Sequence, residues 1–469
     1  MNDQALFQRL LSLVTEYRAR EKEGTFLDYL EPEQLARLLA LDQPAQGDWE
    51  RILRWLEQYL EHSVKTAHPG FLNRMWSGAN LPSILAEMVT AVSNTSACTY
   101  EGAPVSTLME HYMLDTMLEL VGFEKGEGQM TTGSSNGNMI AMLAARNEAL
   151  AETKRKGLWQ QAPLCAFVSE DAHYSLDKAA NILGIGTDQL VKVPVDERGR
   201  MDAGALERLI DACISHGGRP FFVCATLGTT VRGAYDPLPP LLQLRSRYGF
   251  WLHGDGAWGG AALLDDTLRE RFLEGVEQLD SFTWDFHKMP GTNLMCNMLL
   301  FNGREDAFRC TCSAGEHSYL FREEKETHEL DLGVGSLQCG RRVDSLKWFL
   351  DWKYFGREGL GNRVRRYLEL AAHAEARIEE HPELEMVAPR ESFNVCFRYL
   401  PPRGQDANEF NLKLRHHLFH EGISLVGVAF IGERVTLRLL ITHPDFTEAH
   451  VDGFLDSLVE AARELLDRK

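Results

Sequence analysis

The chain has 469 residues, 44% of them hydrophobic, enough to fill a large core with smaller attachments. Its 49 Lys and Arg against 68 Asp and Glu leave a formal net charge of −19, which disfavours nucleic acid and anionic lipid, and no Lys/Arg run offers a local basic patch. The nine cysteines are scattered and odd in number, with Cys310 and Cys312 close but not at a zinc-knuckle spacing, so a reduced, cytoplasmic chain without a metal site is expected.

The opening stretch, MNDQALFQRLLSLVTEYRAREKEG, carries charge throughout and reads as neither a signal peptide nor a membrane span. Residues 1–62 are expected to be a helical segment. Leu10, Leu11, Val14 and Tyr17 recur at helical spacing, and a second amphipathic run goes from Trp49 through Leu60. Pro and Gly in TAHPGFLNRMWSGANLPS (66–83) break that pattern, which puts the start of a large domain near residue 63. From about residue 130, short β-rich runs alternate with helical ones. LCAFVS (164–169), LVKVPV (190–195), PFFVCATLG (220–228), FWLHGDGA (250–257), SFTWDFHK (281–288) and CNMLLFN (296–302) are the expected strands, with helices such as GALERLIDACISH (204–216) between them. The alternation predicts an α/β domain over 63–341, a mainly parallel sheet with helices on both faces and ligands at the carboxyl ends of its strands. A long helix over about 342–381, the strands NVCFRYLP (394–401), GISLVG (422–427) and RVTLRLLIT (434–442), and a closing helix predict a small α+β domain over 342–469.

Four stretches carry chemistry. TTGSSNGNMIAMLAARNEAL (131–150) sets small polar residues directly before a helix-forming run. Free backbone N–H groups and the positive end of a helix make a phosphate cradle there, with Ser134 and Ser135 adding hydroxyls; simple helix capping accounts for the same residues. SEDAHYSLDKAA (169–180) contains His173, whose ring suits stacking on an aromatic ligand and equally suits a structural position. HGDGAWGG (253–260) ends a β-run on Asp255. An acid there needs a cationic partner, and a protonated pyridine nitrogen is one; a turn or cap acid is the other reading. SFTWDFHKMPG (281–291) sets Lys288 after an apolar strand containing Phe282, Trp284 and Phe286. An amine stripped of part of its water is more readily neutral, and so a better nucleophile toward aldehydes. Anchor, ring platform, acid for a ring nitrogen and amine together are what pyridoxal 5'-phosphate requires.

Over about residues 60 to 465 the chain resembles the group II pyridoxal-phosphate-dependent amino-acid decarboxylases. The blocks that carry the resemblance, in order, are TYEGAP, AHYSLDKAANILGIGTD, ATLGTTVRGAYDPL, LHGDGAWGGAAL, DFHKMPG, YLF and LQCGRRVDSLKWFLDW. The resemblance is to the acidic-substrate branch, which includes glutamate, aspartate and cysteine sulfinate decarboxylases. It implies the pyridoxal-phosphate-dependent transferase fold (aspartate aminotransferase-like, fold type I), with a mainly parallel seven-stranded sheet in the large domain. It also implies a homodimer with the active site at the interface. By position, Lys288 matches the lysine that bonds the cofactor, Asp255 the partner of the ring nitrogen and His173 the stacking residue. Ser134 and Ser135 match the phosphate loop, and Thr226 and His287 further cofactor contacts. Tyr319, in the loop CSAGEHSYLFREEK (312–325), matches the acid that reprotonates the α-carbon. Arg438 matches the arginine that pairs with the substrate's distal anion, a role suited to a bidentate fork. Asn73, Arg74, Ser96 and Cys98 fall at further substrate-pocket positions.

Some of these positions depart from the family pattern. Gly133-Ser134-Ser135 stands where close relatives read Gly-Gly-Ser/Ala, and Arg74 stands where the acidic branch usually has Gln. Ser96, Ala97 and Cys98 replace the Asn, larger residue and Phe of glutamate-using members, and Ser96 is more like the cysteine-sulfinate and aspartate enzymes. The expected reaction is therefore α-decarboxylation of glutamate, aspartate, cysteine sulfinate or cysteate. Two alternatives stand beside it: a decarboxylase of an aromatic or diamino acid on the same fold, and a non-catalytic protein that keeps the fold.

Overall fold

A computed structural model describes residues 2–467 except 43–46, 160, 305, 314–318, 323 and 325. The chain forms two compact units. The larger is Ala79–Glu369 with Pro389–Asn394, and the smaller is Met1–Gly78 with Leu370–Ala388 and Val395–Lys469.

The larger unit is built on a seven-stranded sheet. From edge to edge its strands are Gly126–Thr131, Asn297–Asn302, Ser281–Asp285, Trp251–Asp255, Arg219–Thr226, Leu164–Ser169 and Leu190–Val193. Asn297–Asn302 is antiparallel to both neighbours, and the other pairings are parallel. Leu164–Ser169, Trp251–Asp255 and Ser281–Asp285 are buried along their whole length. Their apolar runs fit a parallel sheet covered on both faces. The expected mainly parallel, seven-stranded α/β architecture is therefore present, with each strand read from the sequence in place. The strand not foreseen, Gly126–Thr131, has the sequence GEGQMT. Thr131 is its single β-branched residue, and a side chain at Gly128 would press on Leu114 and Leu300.

Two glycines bring the helix Ser134–Ala149 down onto this sheet. Gly133 turns the chain out of the edge strand at φ +95°, a conformation that L side chains disfavour. One turn later, a Cβ at Gly137 would clash with the side chain of Thr283. The helix start is thereby held beside the carboxyl ends of Trp251–Asp255 and Ser281–Asp285. The helix expected over 342–381 is Ser345–Glu380, interrupted at Gly356, whose φ of 65° and ψ of 172° are not helical.

The smaller unit carries a five-stranded sheet in the order Phe71–Leu72, Leu425–Ile431, Arg434–Leu440, Asn394–Tyr399 and Leu384–Met386. Leu425–Ile431 and Arg434–Leu440 are a hairpin closed by Gly432-Glu433, with Gly432 at φ +58° as a two-residue turn requires. The helices Ala407–His420 and Glu448–Asp467 pack together, and Asp3–Arg20 packs on Trp49–His62. Among the described residues no helix is long and apolar enough to cross a membrane.

Candidate active site

At the carboxyl ends of the central strands lies a cavity of about 260 Å³ within the larger unit. Ser134, Ser135, His173, Thr226, Asp255, His287 and Lys288 all line it, so seven residues scattered over more than 150 positions of sequence meet there. Asp285, Asn138 and Met295 line it as well.

Lys288 follows the buried strand Ser281–Asp285 in a turn in which Gly291 N–H donates to its carbonyl at 3.0 Å. The strand end is fixed by packing, since Phe286 stacks on Trp348 with ring centroids 4.1 Å apart and planes 9° apart. The Lys288 ammonium lies 3.1 Å from Asp285 Oδ2. The amine is thus partly buried, as expected, but it is paired with an acid three residues earlier that the sequence reading passed over. Lys347, which is fully buried, is a poor rival as the reactive amine. It donates to Met295 O at 2.6 Å and is ion-paired with Asp344 Oδ1 at 2.8 Å and Glu87 Oε2 at 3.4 Å, and it does not line the cavity.

Asp255 ends a strand on the floor of the cavity and is held by a one-way chain of hydrogen bonds. Its Oδ2 accepts from Asn138 Nδ2 at 2.8 Å and its Oδ1 from Ala257 N–H at 3.1 Å. A carboxylate only accepts, so the Asn138 amide turns its oxygen toward His253 Nε2, 2.9 Å away. His253 Nε2 therefore carries the proton, and Nδ1 accepts from Ser281 Oγ at 2.8 Å; Ser281 Oγ in turn accepts from Trp251 Nε1 at 2.8 Å. Complete burial pulls His253 down to about 4, which keeps the ring neutral and this polarity intact at physiological pH. None of Asn138, His253 and Ser281 stood out in the sequence. The signal was available in HGD and SSNGN: polar residues on runs otherwise destined for the core need partners there.

The remaining walls fit a phosphate-bearing aromatic aldehyde. Gly133, Ser134 and Ser135 form a small-residue cradle at the helix start. Thr226 N–H is fixed by Asp236 Oδ2 at 2.7 Å, whereas its buried Oγ1, at the cavity wall, has no partner among the described residues. An unsatisfied buried hydroxyl beside a cavity is a place for a ligand atom. His173 is half-buried, and its Nδ1 accepts from Ser175 N–H at 3.3 Å, leaving Nε2 as the donor. Burial lowers the His173 pKa, with Asp255 pulling the other way and Lys288 adding to the decrease. His287 sets Nδ1 against the backbone of Cys296 and Nε2 3.8 Å from Asp285.

Residues 32–400 match the pyridoxal-dependent decarboxylase conserved domain. The chain belongs to the pyridoxal-dependent decarboxylase family. Similar curated proteins include the cysteine sulfinic acid decarboxylase of Rattus norvegicus, 37% identical over 93% of this chain and 91% of that protein. The acidic amino acid decarboxylase GADL1 of Xenopus tropicalis is 34% identical over 97% of this chain and 92% of its own. A crystal structure of mouse CSAD in apo form is 34% identical, with a TM-score of 0.93 over 98% of both chains.

The other residues singled out in this decarboxylase lie outside that cavity. Ser96 is exposed and its Oγ accepts from Arg341 N–H at 3.1 Å, while Cys98 is buried. Tyr319 is 83% exposed, and seven residues of its loop, 314–318, 323 and 325, are outside the described set. In the smaller unit, Arg438 Nη2 donates to the carbonyl of Asn73 at 3.1 Å, and Arg74 is exposed beside them. Burial lowers the Arg438 pKa and the charge of Arg74 lowers it further; Arg415 is lowered by burial and Arg74 in the same way. Arg415 escaped the sequence reading because it lies on a helix where charged residues are the rule.

Proposed function

We propose that this amino-acid decarboxylase acts on an acidic L-amino acid, glutamate, aspartate, cysteine sulfinate or cysteate, releasing the α-carboxyl group as CO2 and leaving the amine. The observation that carries this reading is Arg438, which donates to the Asn73 carbonyl and is disfavoured, like Arg415, by the charge of Arg74, so that an anionic side chain would offset the excess of positive charge. The names of the rat and frog relatives, a cysteine sulfinic acid decarboxylase and an acidic amino acid decarboxylase, point the same way.

When bound, pyridoxal phosphate supplies an aldehyde for amines and an electron-poor ring that draws electrons from a breaking bond. The chain's own groups have separate tasks. Ser134, Ser135 and the N–H groups of the helix start would hold the phosphate, with Thr226 and His287 adding contacts. His173 would supply a flat face for the ring. Asp255, kept as an acceptor by Asn138, would hold a proton at the ring nitrogen. Lys288 Nζ would be the amine that the aldehyde takes up and that the substrate's amino group replaces. Once CO2 has left, Tyr319 Oη delivers a proton to the α-carbon. Arg438, with Asn73 and Arg74, orients the substrate's distal anion, and Ser96 and Cys98 shape the rest of the pocket.

The active unit in this reading is a homodimer with the site at the interface, so that Tyr319, Ser96 and Cys98 are supplied to the cavity of a second copy. Leu81, Leu85, Val89 and Val92 support it: at helical spacing on one face of Leu81–Ser93, each is 50% exposed or more. The location is read as cytoplasmic, in keeping with nine unbridged cysteines.

Arg438→Ala tests the substrate assignment. Losing a buried charge-assisted contact costs about 2–5 kcal/mol, so KM for the acid is expected to rise by about 30-fold or more. Cofactor affinity is expected to change less than about twofold. Equal losses in KM and cofactor affinity would remove Arg438 from the substrate pocket.

A further inference from the structure

None of the roles above uses Asp285, although it is the acid most deeply engaged in the cavity wall. It ends the strand Ser281–Asp285 and is 3% exposed. Its Oδ1 accepts from Ser134 N–H at 3.1 Å and from Asn297 Nδ2 at 2.7 Å. Its Oδ2 lies 3.1 Å from Lys288 Nζ and 3.8 Å from His287 Nε2. Burial alone would raise its pKa, but the charges of His287 and Lys288 and the bond from Ser134 outweigh that and hold it below the ordinary carboxylate value. Asp285 is therefore an anion seated on the first N–H of the helix that begins the phosphate cradle. It is also the counter-ion of the amine that must meet the aldehyde.

A second anion brought to this helix end meets a donor already taken and a like charge close by. An amine held as ammonium by a carboxylate is not a nucleophile until it gives up a proton. We propose that Asp285 is a positioning residue that restrains cofactor loading, its carboxylate keeping Ser134 N–H and Lys288 Nζ engaged until the cofactor displaces it. This rests on the reading of the cavity as the pyridoxal phosphate site. In the covalent step the Lys288 ammonium releases one proton to solvent, its nitrogen bonds to the aldehyde carbon, and the aldehyde oxygen leaves as water with the two remaining amine hydrogens.

Asp285→Asn isolates the charge, because an amide keeps an oxygen for Ser134 and Asn297 while removing the anion beside Lys288. Asp285→Ser, smaller and also neutral, guards against a folding defect peculiar to one variant. Unloaded wild type, D285N and D285S are mixed with pyridoxal phosphate, and the absorbance band of the lysine adduct is followed in time and with concentration. In parallel the unloaded proteins are melted in increasing inorganic phosphate. The variants are expected to load at least tenfold faster, to half-saturate at a tenfold lower cofactor concentration, and to gain melting temperature at a tenfold lower phosphate concentration. Loading by both variants as slow as wild type or slower, with the band intact, overturns the restraint and leaves the cofactor site standing. A band absent from wild type as well as from both variants overturns the site and the restraint together.

Discussion

Lys288→Ala is expected to abolish the lysine-adduct absorbance band near the visible edge and to lower CO2 release by roughly 10⁴-fold or more, the scale on which a nucleophile acting in concert with its neighbours is lost. Lys347 cannot substitute, because it does not line the cavity and its amine is bonded to Met295 O and ion-paired with Asp344 and Glu87. The same change has a structural cost. Asp285 is left buried without its nearest cation, and breaking a buried pair from one side destabilises by about 3 kcal/mol. The double variant Lys288→Ala/Asp285→Asn is therefore expected to recover most of the lost melting temperature while recovering no turnover. A band that persists in Lys288→Ala would move the cofactor to another lysine.

Asp255→Asn is expected to keep the lysine-adduct band and to lower turnover by roughly 10²–10⁴-fold, the range for removing a preorganised charge from a developing transition state. The pocket around Asp255 is built for an acceptor. Asn138 Nδ2 and Ala257 N–H both donate to it, so an amide at 255 must turn its NH₂ toward one of them. One buried donor is then unsatisfied, at a cost of about 1–3 kcal/mol. Asn138 cannot turn to compensate without presenting its own NH₂ to the protonated Nε2 of His253. Turnover close to wild type in Asp255→Asn would show that the ring nitrogen needs no anionic partner here.

The residues proposed to carry the chemistry were picked out in the sequence where a side chain sat out of keeping with its surroundings. Lys288 and Asp255 each end an apolar run, and His173 gained meaning from them; all three line one cavity. The residues that hold them were less readable, because a buried Asn or His satisfied by its neighbours leaves no trace in a one-dimensional pattern. Asn138, His253 and Ser281 together span more than a hundred positions yet form a single line of hydrogen bonds to Asp255. Asp285 was the accessible exception, since an acid three residues before a lysine at a strand end is within reach of it. The strands of the large sheet followed from their β-branched and aromatic runs, whereas GEGQMT concealed the seventh behind two glycines. The break at Gly356 had a local sign in the glycines of FGREGLG, outweighed by the helical periodicity on either side.

The most direct test is CO2 release by the purified, cofactor-loaded protein, measured in parallel on glutamate, aspartate, cysteine sulfinate, cysteate, an aromatic amino acid and 2,4-diaminobutyrate. Release from one or more of the four acids, with the aromatic and diamino compounds inert, is the predicted result. Release only from the aromatic or the cationic compound would contradict the acidic-substrate assignment while leaving Lys288 and Asp255 in their roles.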